Sequence, residues 1–192
     1  MAKNFNFTHD WFSDNIDNSM KMLNLIFKGK QNNILEIGSH EGRSATWMLE
    51  NLCDVEGSTF TSIDPYLESD TTCDVKSNTY QIFQDNIRQC DNYSKFNQFV
   101  DYSGIILPQL LEKGKQYNII YIDGSHTYAD VMKDLLYSDK LLKPLGVMVI
   151  DDVGTNTNGY LDLKRAFHEF MRDHPNYKLI LNDYQRTIIK WS

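Results

Sequence analysis

Cysteine, proline and positive charge are all scarce in this chain of 192 residues, which has three cysteines, four prolines, and 19 Lys and Arg against 26 Asp and Glu. Each scarcity excludes something. Cys53, Cys73 and Cys90 show no C-x-x-C spacing and are odd in number, so they read as free thiols rather than as a disulfide framework or structural zinc site. With so little proline and no Pro/Gly-rich tract, no flexible linker divides the chain. The net charge of −7 comes without basic blocks, which leaves nucleic-acid phosphates little to hold and argues against nucleic acid as a partner. No apolar run is long enough to span a bilayer, so a membrane role is not expected. The opening "MAKNFNFTHDWF" lacks the basic and apolar regions of a secretory leader. A soluble, cytoplasmic protein is the expectation.

The composition, 41% hydrophobic and 23% charged, is that of an ordinary globular domain. A chain of this size buries roughly 70% of its unfolded surface on folding, enough for one real core. Short apolar runs alternate with segments of helical period. The strand candidates are "NILEIGS", "FTSIDPY", "NQFVDYS", "YNIIYIDG" and "VMVIDDV", separated by helix candidates such as "RSATWMLENLC" and "YADVMKDLLYSDKLL". "YLDLKRAFHEFMRDH" is an amphipathic helix on which Leu161, Leu163, Ala166, Phe167, Phe170 and Met171 can share a face, stopping before Pro175. "YKLILND" and "RTIIKWS" read as a closing hairpin. Continuous apolar strands between helices imply a parallel sheet covered on both faces. The expected fold is therefore an α/β, three-layer αβα sandwich with a doubly wound, mostly parallel seven-stranded sheet and a C-terminal antiparallel hairpin. Residues 1–30 are expected to form a helical cap on the domain 31–192.

In such folds ligands lie outside the carboxyl ends of the strands, where strand order reverses. Polar residues collect there: Glu36, Gly38 and Ser39; Asp64; Asp101 and Ser103; Asp123; Asp151 and Asp152. One such residue would be a cap or a turn, but a succession along one rim indicates a site. In "EIGSHEGRS", Gly38 and Gly42 allow a sharp turn, and the following helix start with Ser44 offers donors to an anionic group. The loop is not G-x-G-x-x-G, because His40 holds the middle position, and this weakens a dinucleotide-binding oxidoreductase reading. Asp64 in "SIDPY" suits a ribose; taken alone an Asp-Pro turn is the better explanation, but after "EIGSHEG" it is not.

Taken together and in order, "EIGSHEGRS", "SIDPY", "VDYSGIILPQL", "YIDGSHTYADV" and "GVMVIDDV" resemble a class I S-adenosylmethionine-dependent methyltransferase, in the small-molecule O-methyltransferase branch that includes macrolide-sugar and catechol types. The resemblance runs from about Asn33 to the C-terminus. It implies that Glu36, Gly38, Ser39, Gly42 and Ser44 surround the methionine end of the cofactor. It places Asp64 on the ribose, Tyr66 near the adenosine and Tyr102 and Ser103 at the adenine, with Asp123 also bordering the cofactor. It further implies that Asp123, Asp151 and Asp152 bind Mg²⁺ or another divalent cation, for which three carboxylates are suitable hard ligands. The cation would lower the pKa of an acceptor hydroxyl.

His126, three residues after Asp123, is the candidate general base; a helix-capping or rim hydrogen-bonding role is its alternative. The expected substrate is a hydroxyl of a small molecule or glycan. A catalytically inactive, methyltransferase-like binding protein is the competing class. The loops Leu67–Asn78 and Gly154–Tyr160 are placed to shape specificity, and "THDWF" to act with them as a lid. The short cap leaves either an open pocket or a homodimer in which a second chain completes it.

Overall fold

The computed structural model describes residues 3–66 and 78–192, so Cys73 and all of the Leu67–Asn78 loop except Asn78 lie outside the described residues. The elements are α1 (Lys21–Phe27), β1 (Asn33–Ile37), α2 (Arg43–Leu52), β2 (Thr59–Ile63), α3 (Thr79–Ile87), β3 (Phe96–Phe99), α4 (Ser103–Glu112), β4 (Tyr117–Ile122), α5 (Tyr128–Leu141), β5 (Leu142–Ile150), α6 (Leu161–Asp173), β6 (Tyr177–Asn182) and β7 (Arg186–Lys190). They form one seven-stranded sheet in the order β3-β2-β1-β4-β5-β7-β6. β7 runs antiparallel to β5 and β6, and the remaining strand pairs are parallel. No helix among the described residues is long and apolar enough to cross a membrane.

The apolar strands are buried on both faces because alternate side chains feed two separate cores. Ile34, Ile119, Tyr121, Val147 and Val149 pack toward α1, α2 and α3, meeting Leu23, Met48, Leu49 and Phe83. Leu35, Ile120, Ile122, Met148 and Ile150 pack toward α4, α5 and α6, meeting Leu107, Leu135, Phe167 and Phe170. The amphipathic face of α6 is narrower than its sequence suggests. Leu163, Ala166, Phe167 and Phe170 are buried, but Leu161, in the first turn, is exposed. The thiols of Cys53 and Cys90 are free and buried, and burial pushes both up to about 12.

The N-terminal segment is only partly helical. Residues 13–27 wind through 3₁₀ and π turns into α1, whereas the residues before them form an extended strap across α2 and α3. Asn6 and Asn86 exchange hydrogen bonds at 2.8 and 2.7 Å, and Arg43 pairs with Asp10 at 2.6 Å while lying over the Phe7 ring. Met20 and Leu23 are fully buried in the same core as β1 and α2.

The carboxyl rim is built by hydrogen bonds that continue the ladder one residue past each strand. Gly38 N–H donates to Ile63 O, Asp64 N–H to Phe99 O, Asp123 N–H to Ile37 O and Asp151 N–H to Ile122 O, at 2.8–3.2 Å. β1 and β4 are neighbours whose following helices lie on opposite faces, which opens a crevice at this rim. There Gly38 takes a left-handed conformation (φ +82°), and a Cβ would sit 1.9 Å from the Asp123 carbonyl oxygen. Beneath the loop, Glu36 is fully buried and accepts hydrogen bonds from Ser44 (2.5 Å) and Ser39 (2.6 Å). Desolvation raises its carboxyl from an ordinary 4.5 to about 7.

Gly38→Ala is expected to destabilise the fold by about 2–4 kcal/mol through backbone strain and overpacking, measured as a fall in the urea midpoint. Because the folded Glu36 holds its proton more tightly than the unfolded one, its contribution is complete below about pH 4.5 and is lost as pH rises to about 7. Within that window stability should fall by up to about 1.4 kcal/mol per pH unit, and Glu36→Gln should flatten this slope in denaturation series at fixed pH.

Candidate active site

The first loop is held from below and from the side. Both Glu36 oxygens are taken by Ser39 and Ser44, and Ser39 Oγ also lies 2.6 Å from Ser62 Oγ. Glu36 and Ser44 thus shape the loop from within the core rather than lining an open surface, because both are buried. Asp64 holds the loop from the side. One carboxylate oxygen accepts from the N–H groups of Ser39 (2.8 Å) and His40 (3.0 Å), and the other from Tyr66 N–H (2.9 Å). Gly42, at φ +83°, begins α2 against the ring of Phe83, which a Cβ would approach to 2.8 Å. Gly38, His40, Gly42 and Tyr66 are left-handed in the rim loops after β1 and β2.

Aromatic rings pack the rim around Tyr66. The Tyr66 ring packs against Tyr80 and Phe83, with centroids 4.8 and 5.4 Å away, and desolvation raises its hydroxyl well above the usual range. Tyr66 is therefore a wall of the core beside the rim, because its left-handed backbone turns the ring inward. Tyr102 is half exposed, and Ser103 opens α4 and hydrogen-bonds the buried Asp134, whose carboxyl burial lifts to about 7. Asp101 lies in the loop after β3, which ends at Phe99, and its carboxylate accepts from Tyr102 N–H.

The acidic side departs from the three-aspartate arrangement. Ligand atoms of Asp123, His126 and Asp152 lie within 4.8 Å of one another, and His126 Nε2 is 3.0 Å from Asp152 Oδ2. Asp151 does not join them. Its Oδ2 accepts from Tyr121 OH (2.5 Å) and Gln185 Nε2 (3.0 Å), and its Oδ1 accepts from Asp152 N–H (2.8 Å). Desolvation, assisted by the neighbouring Asp152 charge, raises its pKa. The physical reason is the period of two in β5. Asp151 continues the alternation and enters the face shared with Tyr121, while Asp152 leaves the strand at φ +60° and turns to the rim. Tyr184 OH donates to Asp152, and the Tyr160 ring packs on His126 at 4.5 Å. His126 does not cap α5, since Thr127 is the N-cap and its hydroxyl receives Asp130 N–H.

Sequence reasoning missed Tyr121, Tyr184 and Gln185. Tyr121 lies in a strand that reads as uniformly apolar. The other two lie at the turn of the closing hairpin, and only the antiparallel pairing of β7 with β5, with Ile150 opposite Arg186, brings that turn to the rim. A cavity of about 530 Å³ lies at the opposite end of the sheet, lined by residues such as Gln31, Asn97, Lys115 and Lys143.

The fold recurs in known proteins. The structure superposes on an O-methyltransferase from Bacillus cereus in complex with S-adenosylhomocysteine, with a TM-score of 0.72 and 17% identity over 96% of this chain and 84% of that one. It superposes on the O-methyltransferase TomG of Streptomyces achromogenes, in complex with S-adenosylmethionine, with a TM-score of 0.67 and 18% identity over 88% and 76% of the chains. It also superposes on a structure titled as a putative rRNA-methylase from Clostridium thermocellum, with a TM-score of 0.70 and 11% identity over 92% and 96%. At these identities the likeness establishes the fold and leaves the acceptor open. An uncharacterized protein of Acanthamoeba polyphaga mimivirus is 29% identical over 120 residues, 62% of this chain, and the match spans half the length of that relative. The family described as "Methyltransferase domain" matches residues 35–153, from within β1 to just past the acidic pair, and the chain belongs to that family, with the class I methyltransferase architecture.

Proposed function

We propose that the protein is an S-adenosylmethionine-dependent O-methyltransferase that methylates a hydroxyl of a small molecule or sugar with the help of a divalent cation. The observation that carries this reading is the convergence of Asp123, His126 and Asp152 at the rim beside the β1–β4 crevice. The two carboxylates offer the oxygen ligands that Mg²⁺, Mn²⁺ or a related ion takes, with the imidazole beside them. Asp123 and Asp152 would hold it, and Asp123 borders the first loop because its carbonyl abuts Gly38. When bound there, the cation would lower the pKa of an acceptor hydroxyl. S-adenosylmethionine supplies an electrophilic methyl carbon, and the rim loop Gly38–Gly42 with Asp64 supports its binding.

The chain's own residues then perform two tasks. Neutral His126 donates its Nε2–H to Asp152, which fixes the ring and leaves Nδ1 as the lone-pair nitrogen. Nδ1 takes the acceptor hydroxyl proton as the oxygen–methyl bond forms and the methyl–sulfur bond breaks, the bonding pair staying on sulfur. Tyr184 and Tyr160 fix the second carboxylate and the imidazole, so that little reorganisation remains at reaction. The acidic balance of the chain favours a small acceptor over nucleic acid.

Calorimetry is expected to show S-adenosylmethionine binding that survives chelator, while methyl transfer to a hydroxylated acceptor panel is abolished by chelator and restored by Mg²⁺. NAD(H) binding in place of the methyl donor would overturn the reading. Asp152→Asn and His126→Ala should each reduce kcat by about 10²–10⁴-fold. Asp151→Asn, one bond away in sequence, should instead act mainly through stability, lowering the thermal midpoint while keeping kcat within about tenfold. Equal loss of kcat in the Asp151 and Asp152 variants would favour the three-aspartate arrangement.

A further inference from the structure

A second group of metal-ligating side chains lies where the N-terminal strap crosses the first loop. His9, His40 and Glu41 each present a ligand atom, all within 4.8 Å of one another. The residues come from two segments: His9 from the strap, His40 and Glu41 from the turn between β1 and α2. His40 is at φ +46°, in the left-handed region that few non-glycine residues adopt.

The hydrogen bonds around the group suit metal binding. Thr8 donates its hydroxyl to Glu41 Oε1 and its backbone N–H to Glu41 Oε2, both at 2.6 Å. With its proton so used, Thr8 Oγ1 accepts from His9 Nδ1–H across 2.9 Å. That chain sets the His9 tautomer and leaves its Nε2 with a lone pair. A ligating histidine whose other nitrogen is tied through a hydroxyl to a carboxylate is the orientation that metal sites use. Each Glu41 oxygen accepts one hydrogen bond and keeps a further lone pair. Trp11 stacks on the His9 ring at 4.6 Å and lies 5.1 Å from His40, giving the group an apolar roof.

We propose that His9, His40 and Glu41 form a second cation site, for zinc or a similar transition metal, that clasps the N-terminal strap to the β1–α2 loop. Two imidazoles and one carboxylate are a zinc-type donor set, whereas hard ions such as Mg²⁺ require oxygen ligands. Ligand bonds of about 2 Å need the three atoms to draw in slightly from their present separations, which side-chain rotation supplies. The strap is already aligned by its bonds to Asn86 and Arg43, so the metal would order few additional residues. The proposal is independent of the methyl-transfer reading, because it is tested by metal binding alone.

Zinc titrations, followed by competition with a chromogenic chelator, would be run without methyl donor on the full chain, on His9→Ala, His9→Cys and Glu41→Gln, and on Asp152→Asn. The expected result is a zinc-binding step weakened at least about tenfold by His9→Ala and Glu41→Gln, recovered in His9→Cys because a thiolate also ligates zinc, and retained in Asp152→Asn. Unchanged zinc affinity in His9→Ala, or loss of the step in Asp152→Asn alone, would overturn the proposal and leave the rim as the sole metal site. His9 lies on the strap outside the packed cores, so circular dichroism should show His9→Ala folded as the parent.

Discussion

The structure depends on one constraint: the carboxyl ends of β3, β2, β1, β4 and β5 are locked in register by backbone hydrogen bonds that outlast the strands. Gly38, Asp64, Asp123 and Asp151 each donate an N–H to the neighbouring strand. Those bonds place four chain segments, distant in sequence, along one edge with no freedom to slip, since a shift of one residue would move every side chain of a strand to the opposite face of the sheet. The loop that follows β1 passes so close to β4 that only glycine fits at position 38. The proposed chemistry sits on this frame rather than on mobile loops.

The rim divides its acidic residues by environment. Glu36, Asp134 and Asp151 lie inside, where desolvation raises their pKa values, and hydroxyl or amide donors bond Glu36 and Asp151. Asp123 and Asp152 face the crevice with His126. Asp151 and Asp152, adjacent in sequence, part at the end of β5 because Asp151 continues the strand's alternation while Asp152 leaves it in the left-handed conformation. The terminal hairpin then completes both halves, Gln185 bonding the inner carboxylate and Tyr184 the outer.

The N-terminal segment adds a third layer to the same place. Its helical part supplies Met20 and Leu23 to the core beneath α2, and its extended part crosses the loop that follows β1. Thr8 and Asp10 bind Glu41 and Arg43, at the start of α2, so strap and loop form one mechanical unit. Whatever enters the crevice near Gly38 does so beside that strap.

The alternation of apolar runs with helical periods, the glycines after β1 and the ordered acidic strand ends were all legible in the sequence, and together they determined the fold class and the edge of the sheet that bears the site. These features are local, depending on side-chain period and backbone freedom within a few residues. The tertiary structure decided which of those residues face each other. It turned Asp151 inward and Tyr66 into the core, brought Tyr184 and Gln185 from the far end of the chain to the rim, and set His9 beside His40. Such pairings arise from strand order, the reversed direction of β7 and the left-handed backbone at His40, Tyr66 and Asp152. They are set by long-range register and packing, which no short window of sequence encodes.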